Sequence, residues 1–522
     1  NNLGENKCMH SPEKYLEVPL DFSPEKMNSS FAEFKQDYPE FETTHILDEL
    51  RDLEYARLDW HDQIYLDYTG GGLYANSQLL KHMELLRCNV FGNPHSDNPT
   101  SIAMTKLVER ARIKILSFFN ASPDEYVAIF TPNATGALRL VGEAYPFEKG
   151  DRYLLTVDNH NSVNGIRVFA ESKGSSVSYI PMISPELRVD EEKLEFYLDQ
   201  ARPERNNLFA YPAQSNFSGV QHPLDWIEKA RKKNWDVLLD SAAFVPTNRL
   251  DLSQWHPDFV SISFYKIFGY PTGLGCLIVR KDALNKLKRP WFSGGTISIV
   301  SVQKENWYCL HQGAEAFEAF EDGTVNYLSI PALEIGLKHI EGIGVDVIHK
   351  RVMCLTGWLL DKMQALEYPN GQAMVKIHGP SGLERRGGTI AFNLYHADGT
   401  PFDCQTVQEA ANKAGISLRT GCFCNPGDGE VSHNITRKEM ASCFENLKPS
   451  SRYPYGSDCK NQESCLAVKT KMSSIRVSLG LVTNFSDVYR FMNFLQGLMH
   501  EPEIRVLKAE KVKRRVFLNR GP

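Results

Sequence analysis

The chain has 522 residues, 42% of them hydrophobic and 23% charged, and 58 Lys and Arg against 64 Asp and Glu leave a net charge of −6 at neutral pH. This is the profile of a large globular protein, and it excludes a disordered chain, a collagen-like repeat and a fibre. The acidic balance argues against a nucleic-acid partner, no apolar run reaches the about 18 residues of a membrane span, and eleven cysteines are too sparse for a disulfide scaffold.

The opening residues are polar and interrupted by Glu5, Pro12 and Pro19 where a secretory leader needs an apolar run, so a reducing, cytoplasmic location is expected. Residues 1–28 lack periodicity and read as a loose extension. From Ser29 apolar residues recur at helical spacing: Phe31, Phe34 and Tyr38, then Ile46, Leu47, Leu50, Leu53 and Leu58. Residues 64–67 read as a short strand stopped by Gly70, Gly71 and Gly72. Beyond residue 100 the chain alternates. Strands are expected at 127–131, 152–157, 177–180, 208–211, 237–240, 260–264 and 274–279. Helices are expected at 101–119, from 133, and at 162–172, 190–201 and 223–232. The alternation predicts an α/β fold whose mostly parallel, seven-stranded sheet is sandwiched by helices and binds ligands beyond the carboxyl ends of its strands. After residue 330 the texture changes. Helical patterns at 332–343 and 347–366, a strand at 389–394, and helices at 404–414 and 485–499 predict a smaller α+β domain. The expected organisation is therefore an N-terminal extension with helices over 1–60, a large domain over 61–330, and a small C-terminal domain over 331–522 carrying an inserted polar loop near 427–470. The tail 508–520, with six Lys or Arg, is expected to be solvated.

The strand ends carry the chemistry. Asn133, Ala134, Thr135 and Gly136 lead a strand into a helix through small and hydroxyl residues, a pattern that serves as a phosphate cup or as an ordinary N-cap. Val157-Asp-Asn-His160 ends the next strand, and Gln214-Ser-Asn216 follows another with several side-chain donors. Asp240 closes an apolar strand, where a carboxylate needs a cation, either a structural Arg or a protonated heterocycle. Lys266 follows a strand among Tyr265, Ile267 and Phe268; burial lowers a lysine pKa and makes its amine a nucleophile for Schiff-base chemistry.

This set resembles the fold-type I pyridoxal-phosphate enzymes of the class V aminotransferase family, which includes the cysteine desulfurases, and within it the desulfurase domain of the molybdenum cofactor sulfurases. The resemblance runs over roughly residues 30–500. It is carried by Tyr65-Leu-Asp-Tyr-Thr-Gly70, Phe91-Gly-Asn-Pro-His-Ser96, Asp158-Asn-His-Asn-Ser-Val163, Gln214-Ser-Asn-Phe-Ser-Gly219, Phe320-Glu-Asp-Gly-Thr324 and, most specifically, Leu418-Arg-Thr-Gly-Cys-Phe-Cys-Asn425.

The resemblance implies pyridoxal 5'-phosphate held covalently by Lys266, with Asp240 on its ring nitrogen, His160 stacked on its face, and Ala134, Thr135 and Ser263 on its phosphate. Tyr265 and Asn216 also belong to the implied cofactor site. Thr324 is implied to reach the phosphate of a second subunit, hence a homodimer. Asn216, Arg419 and Arg476 are implied for substrate, Arg476 taking the α-carboxylate, and Cys424 for the persulfide. Lys266, His160 and Cys424 form the implied catalytic group. Two departures stand out. Ala243 occupies the place of a Gln that in many desulfurases bonds the cofactor's phenolic oxygen, leaving Gln214 as a candidate substitute. The sulfurases also carry a further C-terminal acceptor domain, which this sequence is expected to lack.

The expected activity is cysteine desulfuration: sulfur leaves L-cysteine as a persulfide on Cys424, L-alanine departs, and a protein or small molecule accepts the sulfur. The alternative is a carbon–sulfur lyase that shares every cofactor residue and yields pyruvate and a thiol. A non-catalytic scaffold is disfavoured by the presence of Lys266. For Cys422 and Cys424, a structural zinc shared with Cys443, Cys459 and Cys465 is a lesser alternative, and no metal is expected. Gly and Pro around Cys424 suggest a mobile loop, and Arg419 is expected to favour its thiolate.

Overall fold

A computed structural model describes residues 23–500, apart from His95 and residues 445–447, 450–456 and 459–461. Most of the expected loose extension, the basic tail and the middle of the polar insert lie outside them.

The seven-stranded sheet runs in the order Tyr126–Thr131, Gly275–Arg280, Phe259–Ser263, Asp236–Asp240, Asn207–Pro212, Arg152–Thr156, Ser176–Ile180. Only Gly275–Arg280 is antiparallel to its neighbours. The mostly parallel sheet expected from the alternation is therefore present. Its central strands are buried on both faces, which is why they read as continuous apolar runs rather than alternating ones. Phe209, Tyr211, Val237, Leu239, Val260 and Ile262 pack into the core on one face. Leu208, Ala210, Leu238, Phe259, Leu277 and Val279 pack into the core on the other.

A four-stranded antiparallel sheet, ordered Val375–His378, Thr389–Leu394, Ser474–Ser478, Arg419–Gly421, forms beyond it. The helix Pro24–Asp37, capped by Ser23, turns Phe31 and Phe34 onto Phe485, with ring centroids 4.9 Å apart in each case. Phe485 opens the last helix, Phe485–His500.

Several expectations are corrected. The strand near residue 64 is two residues long, Ile64–Tyr65, and pairs in parallel with Ile416–Ser417 rather than with the large sheet. The helix expected over 162–172 is two, Asn161–Asn164 and Ile166–Ser172, separated at Gly165. The stretch expected as a loop is helical at its flanks, over Pro426–Ser432, Arg437–Phe444 and Gln462–Lys471. The first of these begins because Asn425 accepts from the Asp428 N–H while Pro426 stands where no N–H is needed. A hairpin, Ile297–Val300 with Tyr308–Leu310, was not expected; its exposed apolar side chains carry no burial pattern to read.

Candidate active site

The carboxyl ends of the large sheet converge on a cavity of about 340 Å³, lined among others by Ala134, Thr135, His160, Asn216, Asp240, Ser263, Tyr265 and Lys266. Eight candidates dispersed over more than a hundred residues thus share one wall. The position of each follows from the strand before it.

Asn133 caps the helix Ala134–Ala144, its Oδ1 accepting from the Gly136 N–H at 2.9 Å. The other first-turn N–H groups face the cavity end of the helix, the arrangement that favours an anion. Gly275 packs against this turn so closely that a Cβ there would lie 2.5 Å from the Asn133 carbonyl carbon. Thr135 Oγ1 meets Ser162 Oγ at 2.8 Å, so Ser162, two residues beyond His160, joins the cup.

Asp240 is buried, with Oδ1 accepting from Ser261 Oγ at 2.8 Å and from the Ala242 N–H at 3.1 Å. Oδ1 is thereby fixed and Oδ2 remains for a cationic partner. His160 Nδ1 accepts from the Ser162 N–H at 3.1 Å, which leaves the proton on Nε2. Burial lowers its pKa, Lys266 and Arg476 add to this, and Asp240 opposes, so the ring is neutral. Behind it, Asp158 accepts from His222 Nε2 at 2.6 Å.

Lys266 sits in the short helix Phe264–Phe268 directly after the strand Phe259–Ser263. Burial pushes its ammonium down to about 8, Arg476 and Arg419 push the same way, and Asp240 and Asp67 resist. The Gly72 N–H donates to the Tyr265 carbonyl at 2.9 Å, and a Cβ on Gly72 would lie 2.8 Å from the Lys266 carbonyl oxygen. The glycine triplet is therefore a close cover over the lysine helix.

Gln214 also lines the cavity, as does Ala243. Its Oε1 accepts from Gln221 Nε2 at 3.0 Å and Asn248 Nδ2 at 3.4 Å, which fixes the amide and leaves Nε2 as a donor. Asn216 lines the cavity with its polar groups engaged by the protein. Its Nδ2 donates to the Phe423 carbonyl at 2.8 Å, its Oδ1 accepts from Asn425 at 3.1 Å, and its own carbonyl accepts from Arg476 Nη1 at 2.9 Å. It ties the cavity to the cysteine loop and to Arg476.

The Cys424 loop is anchored rather than loose. Phe423 and Cys424 adopt φ of 56° and 57°, and the Asn161 N–H donates to the Cys424 carbonyl at 2.7 Å. Cys424 itself is exposed, and its carbonyl is held beside His160 and Ser162, which line the cavity. Beneath it Asp428 is fully buried, held by Ser215 Oγ at 2.6 Å and Asn425 Nδ2 at 2.7 Å. Burial, with Asp158 nearby, raises its pKa well above the usual carboxylate range, which favours the uncharged form. Arg419, expected beside the Cys424 thiolate, instead grips Asp67. Asp67 also binds Arg476, which makes it the largest omission of the sequence reading.

Thr324 does not enter this cavity. It lines an adjacent one of about 340 Å³ that shares Pro132 and Gly273 with the first. A larger hollow, about 840 Å³, lies in the small sheet's surroundings beside Cys404, Gln408 and His433. It offers neither a strand-end acid nor a buried lysine, so the smaller cavity is the catalytic candidate. Among the described residues no group of three or more His, Cys, Asp or Glu is placed to hold a metal, and Cys459 lies outside them.

The donor set fits pyridoxal phosphate: an anion cup at a helix start, a fixed carboxylate for a ring nitrogen, a neutral imidazole and a lysine of lowered pKa line one cavity.

A model of the aminotransferase class-V family matches residues 64–491. The molybdenum cofactor sulfurase of Solanum lycopersicum is 36% identical over 480 residues, covering 86% of this chain and 57% of the relative. The molybdenum cofactor sulfurase of Homo sapiens is 35% identical over 478 residues, covering 86% of this chain and 51% of the relative. The chain thus spans about half the length of the curated relatives it matches. In fold it is similar to a cysteine desulfurase from Thermococcus onnurineus NA1, with TM-score 0.70, 22% identity, 87% of this chain and 98% of that one. It is also similar to the cystine C-S lyase C-DES solved with cysteine persulfide, with TM-score 0.61, 17% identity, 83% of this chain and 97% of that one.

Proposed function

The chain belongs to the aminotransferase class-V family, and from that footing we propose that it is a pyridoxal-phosphate-dependent cysteine desulfurase. The observation that carries the reading is the hydrogen-bonding of a thiol-bearing loop to the rim of the Lys266 cavity, through Asn161 to the Cys424 carbonyl and Asn216 to the Phe423 carbonyl.

Ala134, Thr135 and Ser263 would hold the cofactor phosphate, Asp240 would keep its ring nitrogen protonated, and neutral His160 would contact its ring. Lys266 would hold it covalently through Nζ. Bound there, pyridoxal phosphate supplies an electron sink for charge left on a substrate α-carbon. Arg476 binds the substrate carboxylate. Lys266, released as a free amine, takes the α-proton, which its lowered pKa permits near neutral pH. The Cys424 thiolate forms an S–S bond to the substrate sulfur as the Cβ–S bond breaks. The electron pair of that bond stays with carbon, which takes up a proton and leaves as alanine, and the sulfur remains as a persulfide on Cys424.

A lyase would share the cavity but not need Cys424. Product analysis of Cys424→Ser separates the two. A desulfurase loses alanine and sulfur release while keeping cofactor and substrate binding; a lyase keeps forming pyruvate and thiol. In the wild-type protein, mass spectrometry after cysteine treatment without reductant should show one added sulfur, about 32 Da, on the Cys424 peptide.

A homodimer is part of the proposal, with Thr324 serving the second subunit's phosphate. Its placement outside its own chain's cavity and the exposed apolar hairpin near Gly295 and Gly323 support this. A reducing, cytoplasmic location, suggested by the sparse cysteines of the sequence, is part of the proposal.

A further inference from the structure

The strand Arg419–Gly421 lies antiparallel to Ser474–Ser478, with Arg419 directly opposite Arg476. Side chains at opposed positions of such a pair share a face, and like charges there repel. Asp67 sits between them. Its Oδ2 accepts from Arg419 Nη2 at 2.6 Å and Nε at 3.1 Å, a two-pronged grip, and its Oδ1 accepts from Arg476 Nη2 at 2.9 Å. Arg476 is 2% exposed, and its Nε is buried without a hydrogen-bond partner among the described residues. Arg419 is half-exposed. A Cβ at Gly70 would overlap both Asp67 and Arg419, so the glycine turn leaves room for this pair. Two guanidinium groups and one carboxylate leave one unit of positive charge for a ligand.

We propose that Asp67 is a specificity-determining residue: by occupying the fork of Arg419 it restricts the arginine pair to substrates with a single carboxylate and rejects dicarboxylic amino acids. This rests on the reading of Arg476 as the substrate-carboxylate ligand. A second substrate carboxylate would meet an arginine already paired and the negative charge of Asp67 itself, a built-in penalty against the wrong ligand.

The test is calorimetric titration of the holoenzyme with propionate and succinate, carboxylates that differ by one charge. Wild-type protein should bind succinate no tighter than propionate. Asp67→Asn should raise the succinate-to-propionate affinity ratio about tenfold, the size of one charge-assisted fork at a half-exposed position. Asp67→Glu should keep the wild-type ratio, and Asp67→Asn with Arg419→Gln should return to it. A ratio unchanged in Asp67→Asn, or a gain that survives loss of Arg419, overturns the proposal. If Asp67→Asn fails to fold, Arg419→Gln alone decides: Asp67 then neutralises Arg476, and propionate should bind about tenfold more weakly. Unchanged propionate affinity overturns the proposal. Arg476→Gln should abolish propionate binding; retention would place the carboxylate elsewhere and overturn it too. Cysteine turnover by the wild-type enzyme reports on the desulfurase reading and does not enter these ratios.

Discussion

Lys266 shows how far surroundings set the chemistry of one side chain. In water its ammonium would titrate near 10.5, whereas burial brings it to about 8. Only the free amine reacts with an aldehyde. Uptake of pyridoxal phosphate by the cofactor-free protein should therefore accelerate with pH up to about 8 and level off above; acceleration continuing toward pH 10 would place the amine in water. The sign for stability is also fixed. Between pH 8 and 10.5 the unfolded chain holds a proton that the folded chain has lost, so cofactor-free protein should gain stability as pH rises across that window and no more above it. Urea midpoints measured across the window check this. Lys266→Ala should lose turnover and any borohydride-reducible link. Lys266, Asp240 and His160 were legible in the sequence because each closely follows an apolar strand. Asp67 was not, because the arginines that define it lie 352 and 409 residues away and no local pattern connects them.

At the scale of elements, the helix Ala134–Ala144 depends on the strand Gly275–Arg280 running beside its first turn. A methyl group at Gly275 would collide with the Asn133 backbone, so Gly275→Ala should displace the cup. We expect cofactor affinity to fall about tenfold or more while far-ultraviolet circular dichroism stays native; unchanged affinity would mean that the turn takes no part in binding. The cysteine loop carries a second expectation. Burial favours the uncharged form of Asp428, which accepts from Asn425 and Ser215, so the uncharged isostere Asp428→Asn should be tolerated. Asp428→Ala, which strands both donors, should cost about 1–3 kcal/mol in thermal or urea unfolding. The Gly and Pro residues of this loop suggested mobility. The loop instead makes a left-handed turn at Phe423 and Cys424 whose anchors, Asn161 and Asn216, come from distant strand ends invisible to local composition.

At the scale of the molecule, the parallel sheet was readable because apolar strands and helices alternate at regular length. The small domain was less so, since Val375–His378 and Arg419–Gly421 are short and sit among polar residues. The exposed hairpin bears on assembly. Sedimentation should show a dimer at assay concentration. Ile299→Glu combined with Trp307→Glu, at positions 69% and 53% exposed, should shift it toward monomer and weaken cofactor retention if Thr324 serves the second subunit. An active wild-type monomer would rule out a shared site.

The pairing of Ile64–Tyr65 with Ile416–Ser417 bears on modularity. The segment that follows it bridges Asp67 to Ser478 and then passes over Tyr265 at Gly72, touching the small sheet and the lysine helix within a few residues. A fragment beginning at residue 331 would therefore carry Arg419 and Arg476 without their counter-ion and a strand without its neighbour. A fragment ending at residue 330 would keep Lys266 but deprive the stretch before Gly70 of its backbone partners Ile416, Ser417 and Ser478. Recombination that exchanged the C-terminal part among relatives would have to bring residues 64–72 along with it, so these two distant stretches should be inherited as one unit although the chain writes them some 350 residues apart.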